Sequence, residues 1–231
     1  MDDLIYLTGD THGGFDNIIK FCNRNKTTID DIMIILGDVG LNYYLNSADY
    51  INKTKLSELP ITCICVHGNH EQRPQNIESY KTSENEFGKF CYEEEFPNIL
   101  FCIDAEVYMF SKKTFLCLGG AYSVDKYYRL QNGYAWFKDE QMNEDTKRYV
   151  KHKMFGRKFD YIISHTCPYK YIPREMFLGQ VDQSMVDDSM EYFLDEVEEN
   201  IEYGAWFCGH YHTNKSIGKM KFMYKDIIEL I

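Results

Sequence analysis

The segment Leu4-Ile5-Tyr6-Leu7-Thr8-Gly9-Asp10-Thr11-His12 sets a carboxylate and an imidazole two residues apart, directly after a run of apolar, β-prone residues. Such a run, closed by glycine, reads as a buried strand. Asp10 and His12 then lie on the loop beyond its carboxyl end, the edge at which open α/β sheets bind ligands.

The same pattern recurs outward along the chain. IMIIL (32–36) precedes Gly37-Asp38, and ITCICV (61–66) leads to Gly68-Asn69-His70-Glu71. DYIIS (160–164) delivers His165, and AWFC (205–208) delivers Gly209-His210-Tyr211-His212. Five of the seven histidines fall in these clusters. Any one cluster alone is an ordinary turn or a satisfied histidine, but five at strand ends form a set.

The opening 66 residues alternate strand and helix: strand 4–8, helix near 14–25, strand 31–36, helix near 43–58, strand 61–66. This βαβαβ order implies parallel strands with right-handed crossovers. Between 97 and 119 short apolar segments (NILFC, EVYMF, TFLCLGG) predict antiparallel strands. An irregular stretch over 121–137, a helix over 138–153 and strand 160–164 follow. In the helix expected over 184–201, Val186, Met190, Phe193, Leu194, Val197 and Ile201 share one face. Asp187, Asp188, Glu191, Asp195, Glu198 and Glu199 are read as its solvated face. Strands near 205–208, 219–224 and 226–230 close the chain. Two packed sheets with helices outside accommodate this order.

At 231 residues, the expectation is one domain over 1–231, with a cap or insertion near 87–137. The 44% hydrophobic and 16% aromatic content suits a folded chain, and no linker-like or repetitive stretch interrupts it. A net charge of −11 opposes non-specific attraction to nucleic acid or an anionic membrane. Bound cations would still make one cleft attractive to a phosphate. The amino-terminal apolar run is too short for a signal peptide or a membrane span, so a cytoplasmic location is expected. The eight cysteines lie mostly in apolar runs without zinc-ribbon spacing, and read as small buried hydrophobes in a reducing compartment. Oligomeric state is not legible.

The clusters supply two aspartates, one asparagine and five histidines. Asp10 and His12 can bind one ion together, and the carboxylate of Asp38, on a neighbouring strand end, can bridge two. Asn69 offers a neutral carbonyl oxygen, while His165, His210 and His212 offer imidazoles. Mixed oxygen and nitrogen ligation without thiolate suits Mn, Fe, Zn or Ni, with Mn favoured. No Gly-x-Gly-x-x-Gly follows the first strand, which sets a dinucleotide-binding reading aside.

As an ordered set, Asp10-x-His12, Gly37-Asp38, Gly68-Asn69-His70-Glu71, Ser164-His165 and Gly209-His210-x-His212 resembles the calcineurin-like metallophosphoesterase superfamily, small bacterial and phage-type members included. The motifs run from residue 9 to 212. The resemblance implies an α/β fold, a four-layer αββα sandwich of two mixed β-sheets flanked by helices, and a phosphatase or phosphodiesterase. It places Asp10, His12, Asp38 and His212 on one divalent ion, and Asp38, Asn69, His165 and His210 on the other. Two such ions lower the pKa of a shared water towards neutrality and aim it in line at phosphorus. By the same resemblance His70 is the proton donor to the leaving group, and Glu71 orients His70 or caps the following helix. His67 and His152 fall outside the motif and read as structural.

Protein Ser/Thr phosphatases of the superfamily carry Asp-Arg-Gly after the second motif, whereas Val39-Gly40 follows Asp38 here. Arg73, just after Glu71, is the expected replacement for that phosphate grip, or else a surface or helix-start arginine. RNA lariat debranching enzymes offer another comparison through Pro97-Asn98, Gly119-Gly120 and Ser164-His165-Thr166-Cys167-Pro168. They replace the first-motif aspartate by cysteine, and Asp10 is retained here. In segment 119–129, similar to one in small bacterial and phage-type members, Tyr122, Asp125 and Arg129 are expected near the cleft, with Trp136 beside them; Arg129 and Tyr122 are the preferred substrate contacts. A non-catalytic scaffold is the alternative from a different class, but no ligand position is lost.

Overall fold

A computed structural model describes residues 4–177 and 184–230. The alternation of side chains along the first strands decides the layering. In β1 (Ile5–Thr8) and β2 (Ile32–Ile35), Ile5, Leu7, Ile32 and Ile34 point to one face, while Tyr6, Met33 and Ile35 point to the other. Both faces are buried, as expected of parallel strands covered on each side.

The first sheet has the order β13-β1-β2-β3-β6-β5-β4, in which β3 is Thr62–Cys65, β4 Lys81–Asn85, β5 Gly88–Tyr92, β6 Ile99–Cys102 and β13 Ile228–Glu229. The second has the order β11-β12-β10-β9-β8-β7, in which β7 is Val107–Phe110, β8 Lys113–Leu118, β9 Lys158–Ser164, β10 Glu202–Cys208, β11 Lys215–Ile217 and β12 Met220–Phe222. Each sheet joins parallel central strands to antiparallel edges.

Three buried clusters match four layers. Ile5, Leu7, Ile64 and Val66 of the first sheet pack between the sheets against Phe110, Phe115, Ile163 and Phe207 of the second. The outer face of the first sheet is covered by α1 (Asp16–Asn25) through Ile18 and Cys22, and by α2 (Ser47–Ser57) through Leu56. On the second sheet, α4 (Glu144–Met154) and α5 (Ser189–Asn200) pack Val150, Met154, Phe193, Leu194 and Val197 onto Leu116, Ile162 and Trp206. The expected αββα sandwich of two mixed sheets is therefore observed.

Several local expectations change. Within 88–118, expected as part of a cap, β5 to β8 join the two sheets, with the antiparallel pairs expected over 97–119 present, because their alternating apolar side chains fill the cores on either side. Residues 119–137 carry no strand but are not wholly irregular: α3 spans Lys126–Asn132 and ends at Gly133 in the left-handed conformation. Glu191 does not face solvent; it is 4% exposed, and its carboxylate accepts a hydrogen bond from Thr166 Oγ1 at 2.7 Å. All eight cysteines are buried and unpaired. Among the described residues, no helix is long and apolar enough to cross a membrane.

Candidate metal centre

Strand register brings the clusters together. Thr8 pairs with Ile35, and Ile35 with Cys65, so Asp10, Asp38 and Asn69 leave one edge of the first sheet together. Leu118, Ser164 and Cys208 align in the second sheet, so His165, His210 and His212 leave the corresponding edge. The loops are stitched across: the amides of His12 and Gly13 donate to the carbonyls of Asp38 and Val39 at 2.8 Å, and that of Gly209 to His165 at 2.9 Å.

Asp10, His12 and His212 offer ligand atoms within 4.8 Å of one another, as do Asp10, Asp38 and His165. Asp38 Oδ2 is 3.6 Å from His165 Nε2 and 4.0 Å from His12 Nδ1. Among the described residues Asp10 Oδ2 is buried without a hydrogen bond, although His212 Nε2 lies 3.1 Å away. His210 donates its backbone amide to Asp10 Oδ1 at 2.9 Å, and its buried ring packs 5.0 Å from that of His165.

The contacts between these groups suit a cation. His165 Nδ1 donates to the Leu36 carbonyl at 2.7 Å, which fixes the tautomer and turns the Nε2 lone pair inward. That lone pair meets Asn69 Oδ1 at 2.9 Å, because the Asn69 amide group is engaged elsewhere, on Ser123 Oγ. A proton on Nε2, or a metal ion in its place, satisfies both atoms. His12 Nε2 and His212 Nε2 lie 3.1 Å apart, close enough for one ring to donate to the other or for both to face one ion. Burial alone would push His165 down, yet Asp38 and Asp10 push it up to about 9, a measure of the negative field a cation would meet. Burial opposes ionisation of Asp38, but His165, His70 and His12 hold its carboxyl well below the usual range. Burial, with His165 nearby, keeps His210 neutral and able to ligate.

The backbone holds this arrangement under strain. His12, Asp38, His210 and His212 all have positive φ, at 47°, 48°, 66° and 48°, a conformation that persists in non-glycine residues only where surroundings enforce it. The glycines before two ligands have a packing reason: a Cβ on Gly68 would overlap Asp38 Oδ1, and one on Gly209 would overlap Asp10 Oδ1.

The chain matches the calcineurin-like phosphoesterase model over residues 4–214. It belongs to that family. Calcineurin-like phosphoesterases act on phosphoesters and typically bind divalent metals, which accords with the Asp and His ligand groups described above. Two solved structures are similar to this member: a protein of unknown function from Aquifex aeolicus and phosphopantetheinyl hydrolase from Mycobacterium tuberculosis. The first is 12% identical, with a TM-score of 0.43, over 99% of this chain and 96% of its own. The second is 10% identical, with a TM-score of 0.46, over 96% of this chain and 88% of its own. No curated protein matches the chain.

Around this calcineurin-like phosphoesterase centre, His70 Nε2 lies 3.8 Å from Asp38 Oδ2 and 3.4 Å from Arg129 Nη2. Burial and Arg129 lower its basicity, against Asp38. Arg129 is preset by Asp125 at 2.8 Å and the Tyr43 hydroxyl at 3.0 Å. Tyr122 lines the same cleft, of about 470 Å³. Arg73 is not brought there. Its guanidinium is held by Asp104 at 2.5 Å and by the Asp139 carbonyl at 2.7 Å, on a different surface. Glu71 touches neither His70 nor a helix end; it accepts the Gly68 amide at 2.9 Å, and burial with Asp38 nearby pushes its carboxyl up to about 8. His67 is buried outside both ligand groups, and His152 is exposed on α4.

Sequence reasoning missed Ser123 and Glu140. Ser123 Oγ, which accepts from Asn69, donates to Glu140 Oε2 at 2.5 Å, and Trp136 Nε1 donates to the same oxygen at 2.9 Å.

Proposed function

We propose that the chain is a binuclear metal-dependent phosphoester hydrolase, acting as a phosphatase or phosphodiesterase. The observation that carries this reading is the convergence of two ligand groups on Asp10, Asp10–His12–His212 and Asp10–Asp38–His165, each with its ligand atoms within 4.8 Å of one another, while Asp10 Oδ2 is buried without a hydrogen bond. Asp10, His12, Asp38 and His212 would hold one divalent ion, and Asp38, Asn69, His165 and His210 the other. Such mixed O and N ligation without thiolate suits Mn, Fe, Zn or Ni, of which manganese is the ion proposed for the test. When bound, two such ions supply a nucleophile at neutral pH and offset charge on the phosphoryl oxygens.

The chain's own groups do the rest. Arg129, already oriented by Asp125 and Tyr43, grips a phosphoryl oxygen without first having to order its side chain. His70, its backbone amide fixed on Asp38 Oδ1 at 2.8 Å, stands beside that grip and gives a proton to the leaving oxygen. An arriving phosphoryl group raises its proton affinity, countering burial. Tyr122 borders the leaving group. Asp10, retained where debranching enzymes carry cysteine, favours this reading over RNA debranching. The buried, unpaired cysteines support a cytoplasmic setting.

The test is hydrolysis of p-nitrophenyl phosphate and bis(p-nitrophenyl) phosphate with Mn²⁺, with metal content measured on the same sample. Asp38→Asn is expected to lose activity and metal together. Turnover by metal-free protein in EDTA would sink the proposal.

A further inference from the structure

The cleft has two unlike halves. One is the polar centre described above. The other is walled by Tyr122, Val124, Met176, Phe177, Val186 and Tyr211, side chains from four stretches of the chain. Val124, Met176 and Phe177 leave 52%, 49% and 36% of their surface exposed, which is unusual for apolar groups converging on one hollow. The two tyrosines add ring surface more than polarity, because their hydroxyls are already engaged: Tyr122 donates to the Met185 carbonyl at 3.2 Å, and Tyr211 pairs with Thr166 Oγ1 at 3.0 Å. The charged groups among the lining outside the metal centre are carboxylates, Asp125, Asp188 and Glu191, and none is a lysine or arginine.

From this division we infer that the substrate is a phosphoester with a single phosphoryl group at the metals and an uncharged apolar leaving group, alkyl or aryl, lying along this wall. Beyond Arg129, which meets the first phosphoryl group, the further phosphates of a polyanion such as a nucleoside triphosphate or a nucleic-acid strand would lie against apolar side chains and the Asp188 carboxylate. An apolar chain displaces water from side chains that gain nothing by staying wet. The inference rests on the hydrolase reading for its chemistry, but binding tests it separately.

Non-hydrolysable n-alkylphosphonates from ethyl to hexyl, titrated calorimetrically into the Mn²⁺-loaded full chain, read the wall directly. Affinity is expected to rise about threefold to fourfold per added methylene that reaches the wall. A hexyl chain ending in a carboxylate is expected to lose that gain. Phe177→Ser and Val124→Ser should flatten the series; both sites are partly exposed, and an unchanged melting temperature shows that the fold persists. A flat series in the unaltered protein, or equal affinity for the carboxylate-ended chain, overturns the inference. A rising series in a protein that hydrolyses no phosphoester overturns the hydrolase reading and leaves the apolar wall standing.

Discussion

The side-chain amide of Asn69 donates to Ser123 Oγ at 2.9 Å, and this one bond decides which end of Asn69 faces the metal centre. Ser123 can accept it because its own proton is committed to Glu140, which Trp136 holds from the other side. Groups standing behind a ligand commonly change metal affinity by about 10- to 100-fold. Ser123→Ala is therefore expected to weaken Mn²⁺ binding by that order, measured by direct titration, with the fold intact by circular dichroism. Unchanged affinity would show that Asn69 is oriented by something else.

His70 and Arg129 touch but are assigned different tasks, and kinetics separates them. His70→Ala should keep its metal and lose about 100-fold or more on alkyl esters, whose leaving oxygen needs a proton, with a smaller loss on p-nitrophenyl phosphate. Arg129→Ala should raise KM for both substrates alike, and Arg129→Lys should not restore it, since an ammonium cannot make the paired contacts of a guanidinium. Loss of metal from the His70 variant would make it a ligand instead.

The convergence of Asp10, His12, Asp38, Asn69, His165, His210 and His212 was legible because each follows an apolar strand, and strand ends in parallel sheets share an edge. What escaped the sequence lacks that punctuation. Strand β4, Lys-Thr-Ser-Glu-Asn, is exposed at every residue, and α3 buries none of its side chains, so neither carries an apolar period. Ser123 and Glu140 are polar residues 17 apart that meet only through the tertiary fold. Arg73 stands close to Asn69 in sequence, but Asp104, 31 residues away, captures it. Glu191 did leave a trace: it precedes Leu194 by one helical turn, at the margin of the buried stripe of α5.

Glu191 makes stability depend on pH. Burial pushes its carboxyl up to about 7, against the hydrogen bond from Thr166, while the unfolded chain restores an ordinary value. Between those values the folded state holds the extra proton, so stability falls as pH rises through the window and the cost is complete above about pH 7. A shift of this size corresponds to a cost on the order of 3 kcal/mol. Glu191→Gln should therefore gain stability at pH 8 and little at pH 4.5, read from urea unfolding midpoints. An equal gain at both would mean that ionisation is not the cause.

Gly209 links the backbone to the metals. It sits against Asp10 Oδ1, the same oxygen that accepts the amide of His210, so a methyl group there must displace the carboxylate, the loop or both. In the unaltered protein Mn²⁺ at about 1,000 times its Kd should stabilise the fold by about 4 kcal/mol. For a domain of this size that is a rise in Tm of about 8 to 16 °C. In Gly209→Ala the displaced Asp10 carboxylate can no longer share an ion with His12 and His212, so most of that rise should vanish while the metal-free Tm changes less. A full Mn²⁺-dependent rise in the variant would show that Asp10 is dispensable for the ion.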